Sequence, residues 1–355
     1  MEQLERNTRG FQLATRRIAL TEPTFVIAEA GVNHNGDLNV ARKLIEVAHA
    51  AGADAVKFQT FTADDLVTAD TPRAAYQERN TGSGASQQEM LRALELPFEA
   101  FRILKEHADA QGIVFLSTPH TEEAVRALAP LVSAFKIGSA DLTNRLLLEE
   151  VAAHGKPMML ATGMADLTEV ERALGWLRAT GLRDIVMMHC TSSYPCRFED
   201  VNLDAMLTMR RTLDCLVGYS DHTLGIQVPI MAATLGAVVI EKHFTLDRTM
   251  AGPDHAASLL PDEFAEMVRA VKQVARIRGE GRKNPVPAEL ANLPLVRKSL
   301  AARTALAAGT VLRREHLMTK RPATGIPPHE YAELLGRKTR RSIAQGALLA
   351  REDLA

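Results

Sequence analysis

Short apolar runs alternate with longer segments of helical periodicity from Phe25 onward. The first run, FVIAEA at residues 25–30, is apolar except at Glu29, which is typical of a strand buried on both faces. Between the runs, apolar residues recur three or four positions apart, which predicts helices. Similar runs follow at 55–58, 113–116, 134–137, 158–161, 185–188, 216–218 and 237–240, and helical segments include 38–51, 122–129, 167–180 and 224–235.

Eight strand–helix repeats within roughly 230 residues predict a (β/α)8 TIM barrel, an α/β fold. Glycine follows many of the predicted helices just before the next strand, where a left-handed cap favours it. These glycines are Gly52, Gly112, Gly155, Gly181 and Gly236. A doubly wound open sheet is the alternative, but its G-x-G-x-x-G turn is missing after the first strand.

The pattern divides the chain into a large unit and a small one. We predict the barrel over residues 21–280, preceded by a strand or hairpin extension at 1–20. Gly, Pro and charged residues mark a linker at 281–295. Residues 296–355 form a distinct unit with short strands and tight turns, and its small size predicts that it packs on another surface.

The interval from Phe61 to Phe98 is too long for an ordinary connection between a strand and its helix. It is rich in Gly, Ser, Asn and Gln, as in the segment YQERNTGSGASQQ. A long insertion in a compact domain is more often functional than idle. We therefore predict a lid or wall of an active site.

Composition narrows the class of protein. Hydrophobic residues make up 46% and charged residues 24%, ordinary values for a globular protein, and the net charge is −1. That charge gives no general attraction to nucleic acid or to an anionic membrane, so we expect neither partner. The three cysteines lack metal or redox spacing, no run is long enough to span a membrane, and the first residues lack an apolar signal. We expect a cytoplasmic protein.

Polar residues recur where each predicted strand ends, and in a parallel barrel that rim binds ligands. His222 and His243 come just past the ends of the last two predicted strands. Two imidazoles with open positions beside them suit a divalent ion that also takes substrate oxygens, although either histidine alone could be a solvated loop residue. The rim residues, expected to point the same way, are Glu29, Asn33, His34, Lys57, Gln59, Ser117, Thr118, His120, Lys136, Ser139, Asp141, Thr162, His189, Thr191, Ser192, Tyr194, Ser220, Asp221, His222, Glu241, Lys242 and His243.

Lys57 and Lys136 lie inside otherwise apolar runs, where an unpaired ammonium is costly to bury. A phosphate would satisfy both, with hydroxyl groups from Thr118, Ser139 and Ser220 as further donors. Structural salt bridges are the alternative. The acidic residues Glu29 and Asp141 are then either counter-ions or acid–base groups, and the sequence leaves that choice open.

The segments that carry these residues resemble the sialic acid synthase family, the phosphoenolpyruvate-dependent nonulosonate synthases. The likeness covers nearly the whole chain, and the C-terminal unit resembles the antifreeze-like (SAF) domain through KRPATGIPP at 320–328. The other matching segments are IAEAGVNHNGD (27–37), DAVKFQTF (54–61), FLSTP (115–119), FKIGSADLTN (135–144), ATGM (161–164), HCTSSYP (189–195), GYSDHTLG (218–225), and VIEKHFTLD followed by GPDH.

The resemblance implies a condensation of phosphoenolpyruvate with an open-chain, N-acylated mannosamine-type sugar, with water addition at C2 and release of phosphate by C–O cleavage. We expect an N-acetylneuraminate synthase. The alternative is a legionaminic acid synthase that uses 2,4-diacetamido-2,4,6-trideoxymannose. A sugar 6-phosphate is the least expected acceptor, because the sequence has no extra basic cluster.

The resemblance also assigns roles to residues. It implies a divalent ion on His222 and His243, expected to be Mn²⁺ with Mg²⁺ or Co²⁺ as alternatives, and a swapped homodimer in which one subunit's C-terminal domain caps its partner's barrel. The matching catalytic residues are Glu29, Asp141 and Lys57; those for phosphoenolpyruvate are Lys57, Thr118, Lys136, Ser139 and Ser220; those for the sugar are Gln59, Tyr194, Asp254 and Arg321. The chain departs from some members of the family at Ala161, Asp141 and Ser192.

Three other functions compete with this one. An aldolase would form a Schiff base on Lys57 or Lys136 and would need no ion. A barrel metallohydrolase is disfavoured because the first strand has no His-x-His pair. A non-enzymatic ice- or carbohydrate-binding module is disfavoured by the dense ionisable rim.

Overall fold

The structure is a computed structural model that describes residues 10–82 and 86–355. The first nine residues of the predicted N-terminal extension and residues 83–85 of the insertion lie outside the described part. The chain forms two compact units, one ending at Gly279 and the other spanning Glu280–Ala355. Each is described by itself.

The first unit contains an eight-stranded parallel sheet, which confirms the predicted TIM barrel. Its strand order is β5-β4-β3-β10-β9-β8-β7-β6, and the two end strands also contact each other, so the sheet curls into a nearly closed barrel. The strands are β3 Phe25–Gly31, β4 Ala55–Thr60, β5 Val114–Pro119, β6 Phe135–Ile137, β7 Met158–Ala161, β8 Ile185–His189, β9 Leu216–Asp221 and β10 Val239–His243.

Helices follow the strands because their apolar residues fall on one face. The helix Leu38–Ala50 buries Ala41, Leu44, Ile45 and Ala48, and the Asp37 carboxylate caps it by accepting from the backbone N–H groups of Asn39 and Val40. The glycine after the helix Phe98–Gln111 has φ +78°, as the predicted left-handed cap requires. The helices of this unit are α1 Leu38–Ala50, α2 Ala63–Leu66, α3 Ala75–Thr81, α4 Gln87–Arg92, α5 Phe98–Gln111, α6 Glu122–Leu128, α7 Arg145–Ala153, α8 Leu167–Ala179, α9 Asp204–Leu213, α10 Gln227–Thr234 and α11 Pro261–Arg278.

Several strands extend further at their C-terminal ends than the apolar runs predict. β4 continues through Gln59 and Thr60, and β10 ends at His243 itself, so this histidine lies in the strand rather than just past it. The backbone ladder to the neighbouring strands continues there, with Lys242 opposite Ala28 and His243 opposite Glu29. Gln59 and His243 are compatible with these positions because they face a cavity at the barrel mouth.

A short hairpin precedes the barrel. Its strands, β1 Phe11–Leu13 and β2 Arg16–Ile18, pair antiparallel. Leu13 and Ile18 are buried in one cluster with Ile27 and Met159, which lie in barrel strands. The hairpin therefore covers apolar side chains inside the barrel.

The insertion between β4 and α5 contains the helices α2, α3 and α4. Phe61, Met90 and Leu94 are buried there together with Val32, which follows β3. The insertion thus has a small apolar core of its own, and that core rests on a loop of the barrel.

The second unit contains the antiparallel strands β11 Ser299–Ala302 and β12 Leu317–Lys320, and the helices α12 Pro287–Val296 and α13 Tyr331–Leu334. Leu300, Leu312 and Leu349 are among its buried residues. The helix α12 occupies most of the segment predicted as a linker, because Pro287 and Glu289 form a good helix start. None of the helices in the described residues is long and apolar enough to cross a membrane.

Candidate active site

The two-residue period of the barrel strands places polar side chains together at the barrel mouth. Lys57 and Gln59 share one face of β4, and Glu241 and His243 share one face of β10. They line a cavity of about 510 Å³. The predicted site residues on its wall are Glu29, Lys57, Gln59, Thr118, Lys136, Ser139, Tyr194, Ser220, His222, His243 and Asp254.

Two predicted site residues are placed differently. Asp141 is absent from the cavity wall as the described residues form it; its carboxylate accepts from Asn144 Nδ2 at 3.0 Å and lies 3.7 Å from His120 Nδ1. Arg321 belongs to the second unit. Their proposed roles in catalysis and sugar binding remain predictions.

A buried cluster of alternating charge forms the inner part of the cavity. Lys57 Nζ lies 2.8 Å from Glu29 Oε2 and 3.8 Å from Glu241 Oε2, and Lys136 Nζ lies 3.1 Å from Glu241 Oε1. The Thr118 hydroxyl accepts from Lys57 and the Ser220 hydroxyl donates to Glu241, both at 2.8 Å. Both lysines therefore have carboxylate partners, so a phosphate is not required to compensate their burial.

The two carboxylates of this cluster differ in acidity. Burial and the neighbouring Glu241 charge raise the pKa of Glu29 to about 7, against the opposing effect of Lys57. Burial also disfavours the Glu241 anion, but Lys136 and Lys57 outweigh it and lower the pKa of Glu241 to about 2. Near neutral pH, Glu241 is therefore ionised, whereas Glu29 can gain or lose a proton. Acid–base chemistry uses such a pair, in which one carboxylate stays charged and the other exchanges a proton.

His222 and His243 meet at the cavity with ring centroids 5.6 Å apart. Burial lowers the pKa of both imidazoles, so both are neutral. His222 Nδ1 lies 2.7 Å from the Thr191 carbonyl, which fixes its proton there and leaves Nε2 with a free lone pair. His243 Nδ1 is buried without a hydrogen-bond partner among the described residues.

These features fit a divalent ion. Two neutral imidazoles with free ring nitrogens are suitable ligands, and neighbouring carboxylates add negative charge. Within the described part of the chain, no group of three or more His, Cys, Asp and Glu side chains forms a complete metal site. An ion on the two histidines would therefore need substrate or water oxygens as its other ligands.

Ser139 lies in a tight part of the cavity. Its hydroxyl accepts from the Gly163 N–H and contacts Cys190 Sγ, both at 3.0 Å. A Cβ at position 163 would lie 2.3 Å from Ser192 Oγ and 2.8 Å from Ser139 Oγ, so a larger residue there would displace these hydroxyl groups. The Gly163 backbone thus approaches the hydroxyl that the resemblance assigns to phosphoenolpyruvate.

Aromatic rings line the outer part of the cavity. The Tyr194 ring lies 4.1 Å from that of His222, and the Tyr76 ring of the insertion stacks on Tyr194 at 5.0 Å. Burial and the nearby Asp254 charge raise the pKa of both tyrosines. Burial raises the pKa of Asp254 to about 6.

The expectation that all rim residues point the same way is wrong for several of them. Ser117 alternates with Thr118 and contacts the Thr60 hydroxyl at 2.7 Å instead of lining the cavity that the described residues form. The clearest exceptions are Asp221 and Lys242. Both are fully buried and form an ion pair in which Lys242 Nζ also donates to the Thr223 carbonyl. Their positions alternate with those of Ser220 and Glu241, so they face the surrounding helices. They support the cavity wall from behind.

Sequence reasoning gave no role to Glu241 or Tyr76. Glu241 was already among the predicted rim residues, and its role in the site could have been inferred, because it lies two residues before His243 in a strand and so shares its face. Tyr76 had no such signal, because it lies in an insertion whose path the periodicity does not determine.

Comparison with known proteins identifies the family. The model of the NeuB family matches residues 44–283, and that of the SAF domain matches residues 297–355. The chain belongs to the NeuB family. It is 43% identical over 335 residues to N,N'-diacetyllegionaminic acid synthase of Legionella pneumophila, covering 93% of this chain and 94% of that protein. It is 44% identical over 329 residues to the protein of the same name from Campylobacter jejuni, covering 92% and 98%.

A solved structure agrees with this assignment. N-acetylneuraminic acid (sialic acid) synthetase from Leptospira borgpetersenii serovar Hardjo-bovis, in complex with citrate, matches with a TM-score of 0.71 and 33% identity over 80% of this chain and 95% of that chain. As a NeuB family member with a SAF domain, the protein is an enzyme, a sugar acid synthase. This family assignment argues against two of the alternative functions, the barrel metallohydrolase and the non-enzymatic binding module.

Proposed function

We propose that this NeuB family enzyme is a legionaminic acid synthase that condenses phosphoenolpyruvate with 2,4-diacetamido-2,4,6-trideoxymannose. The supporting observation is the identity of 43% and 44%, over more than nine tenths of the chain, to two proteins named N,N'-diacetyllegionaminic acid synthase. The sialic acid synthetase structure is 33% identical. We therefore prefer this acceptor to the N-acetylmannosamine expected from the motifs.

The carbon–carbon bond forms when C3 of phosphoenolpyruvate attacks the aldehyde carbon of the sugar, which leaves positive charge at C2. The ionised Glu241 carboxylate, with its pKa of about 2, is suited to stabilise that charge. A water molecule adds to C2 and loses its proton, and C–O cleavage then releases phosphate. Glu29, with its pKa of about 7, is suited to exchange the proton.

His222 and His243 would hold the divalent ion, for which we propose Mn²⁺. When bound, the ion supplies Lewis acidity at the aldehyde oxygen. Lys57 and Lys136 supply positive charge for the phosphate and carboxylate of phosphoenolpyruvate, with hydroxyl groups from Thr118, Ser139 and Ser220 as donors. Lys136 is a poor candidate for a Schiff base: burial disfavours its charge, but Glu241 and Glu29 outweigh that effect and raise its pKa.

We further propose that the enzyme is a cytoplasmic, swapped homodimer in which Arg321 of one chain reaches the sugar site of the other. Charge supports this arrangement. Residues 280–355 carry 14 Lys and Arg against 7 Asp and Glu, whereas residues 1–279 carry 28 against 36. Opposite net charges favour docking of the small unit on a barrel. The three cysteines are free, as expected in a reducing compartment.

Steady-state kinetics with added Mn²⁺ tests the acceptor. We expect kcat/KM for 2,4-diacetamido-2,4,6-trideoxymannose to exceed the values for N-acetylmannosamine and its 6-phosphate by about tenfold or more. Release of phosphate should require both substrates. An equal or higher kcat/KM for N-acetylmannosamine would contradict the proposed acceptor, and full activity in a chelator would contradict the ion.

A further inference from the structure

The cavity has a second wall whose chemistry differs from that of the charged cluster. It comes mainly from the insertion, and most of its side chains are hydrocarbon or thioether. The amides of Gln77 and Gln87 also line it, and Gln87 Nε2 donates to Gln77 Oε1 at 3.1 Å. Several of its apolar side chains belong to the insertion's own buried core, so the wall is formed without a ligand. The apolar side chains on this wall are Val32, Leu66, Val67, Met90, Leu91 and Leu94.

Contacts between aromatic rings relate this wall to the reacting centre. The centroid of the Tyr194 ring lies 4.1 Å from that of His222 and 5.8 Å from that of His243, the two histidines proposed to hold the ion. Tyr194 also stacks on Tyr76, with an angle of 28° between the rings. Tyr76 is one of the insertion residues that line the cavity. The insertion is therefore linked to the imidazoles through this aromatic pair.

Hydrogen bonds hold the insertion in place. Asn80 Nδ2 donates to the Pro253 carbonyl at 2.6 Å, which joins the insertion to the loop that carries Asp254. The Arg73 guanidinium donates to Thr81 Oγ1 at 2.8 Å and to the Gly82 carbonyl at 2.9 Å. Arg73 is thus engaged within the insertion and supports its fold.

The charges around the cavity restrict what this wall can bind. Among the described residues that line the cavity, the Lys and Arg side chains are Lys57 and Lys136, and both are paired with carboxylates of the inner cluster. In addition to burial, the charge that raises the pKa of Tyr76 is that of the Asp254 carboxylate. A phosphate at this wall would meet hydrocarbon and a negative charge, with no cation among the described residues of the wall to balance it. A hydroxyl would find no partner on the apolar side chains, and Gln77 Oε1 already accepts from the Ala74 N–H and from Gln87 Nε2. A methyl group would be accommodated.

In an open-chain hexose whose C1 lies at the reacting centre, C6 is the carbon farthest along the chain. We propose that Tyr76 and the apolar insertion wall form the subsite that selects the 6-deoxy end of the acceptor. The Tyr76 ring packs on the carbon chain beyond Tyr194, and the wall encloses the methyl group. This inference rests on the proposed acceptor and adds the residues that recognise it.

The test places a cation on the wall. Leu91→Lys puts an ammonium on α4, and Val67→Lys does so outside the helices, in case the first variant unfolds. In each of these two variants, we expect the ratio of kcat/KM for the 6-deoxy diacetamido sugar to that for N-acetylmannosamine 6-phosphate to fall about tenfold or more.

Tyr76→Ala should raise the KM of the 6-deoxy sugar by about tenfold. The KM of phosphoenolpyruvate should change less than about twofold, because its cluster is untouched.

Leu146→Lys is the matched control, because Leu146 lies on α7, is 74% exposed and is not a cavity residue. It should keep the wild-type ratio. Folded wall variants that keep the wild-type ratio, together with a Tyr76→Ala enzyme whose sugar KM is unchanged, would overturn the subsite while leaving the proposed acceptor intact. A wild-type enzyme that uses N-acetylmannosamine as well as the 6-deoxy sugar would overturn both.

Discussion

The histidine pair is the part of the site whose loss should most directly weaken binding of the proposed ion. Truncation of His222 or His243 to alanine removes a neutral imidazole that would bind the ion. We expect kcat to fall by about 100-fold or more, because Lewis acid activation contributes several kcal/mol. Binding of Mn²⁺, measured by electron paramagnetic resonance of the free ion, should weaken in parallel.

His329→Ala provides the control, since that side chain is 81% exposed in the second unit. It should bind Mn²⁺ and turn over like the wild type. Wild-type Mn²⁺ affinity in either His222→Ala or His243→Ala would show that the ion, if used, binds elsewhere.

Asp254 should reduce the stability of the fold at neutral pH. Its pKa rises from 3.8 to about 6 because the carboxyl is buried. The folded state therefore binds the proton more tightly than the unfolded state, and stability is lost as pH rises through 6. We expect Asp254→Asn to raise the free energy of unfolding of the barrel unit by up to about 3 kcal/mol at pH 8 and by little below pH 4.

Urea unfolding at both pH values measures this difference, with the exposed Asp184→Asn as control. An equal gain at pH 8 and pH 4 would mean that the carboxyl is not the cause. The same variant should raise the KM of the sugar, because Asp254 lines the cavity beside Tyr76. Asp254 would then lower the free energy of unfolding while it strengthens binding of the sugar.

At the scale of elements, the Asp221–Lys242 pair joins β9 to β10 behind the site. Both side chains are fully buried, and Asp221 also accepts from the Thr223 N–H at 3.1 Å. Lys242→Met leaves the Asp221 charge buried without its cation, so we expect a loss of about 3–5 kcal/mol in the free energy of unfolding. Turnover should fall as well, because His222 follows Asp221 directly.

The double variant Lys242→Met/Asp221→Asn removes both charges and should recover most of that loss in urea unfolding. Lys43→Met is the control, since Lys43 is 61% exposed and its pair with Glu46 lies on the surface. A single Lys242→Met variant as stable as the wild type would contradict the structural role of the pair.

The barrel was predictable because eight buried strands each give a short apolar run, and a helix of fixed period follows. The contacts within the site were not predictable in the same way. Lys57 interrupts an apolar run and Glu241 follows one, and sequence alone does not show that their side chains meet. Distances between strands depend on closure of the sheet, which brings β4, β6 and β10 around one cavity.

The sequence predicted that an insertion lies at the active site, but it did not predict how that insertion folds. Its length and composition indicated a wall over the active site, and it does line the cavity. Its short helices are fixed by contacts such as Asn80 to Pro253, which join residues 173 positions apart. The pairing of Tyr76 with Tyr194 depends on those contacts and has no local sequence signal.

At the scale of the whole molecule, the proposed swapped dimer makes each site from two chains. The barrel of one chain would supply His222, and the small unit of the other would supply Arg321. Arg321→Ala alone should raise the KM of the sugar more than that of phosphoenolpyruvate. The opposite net charges of the two units favour docking of a small unit on its own barrel and on its partner's barrel alike.

Complementation between two defective chains distinguishes the two arrangements. If a His222→Ala chain pairs with an Arg321→Ala chain, exchange of small units gives one site with both defects and one with neither. Co-refolded equal amounts should then reach about a quarter of wild-type turnover at low sugar concentration, because half of the random dimers are mixed. Docking of each small unit on its own barrel leaves a defect in every site. The turnover of the mixture would then not exceed the mean turnover of the two single variants. Turnover of the mixture against the separate variants therefore decides whether subunits share the site.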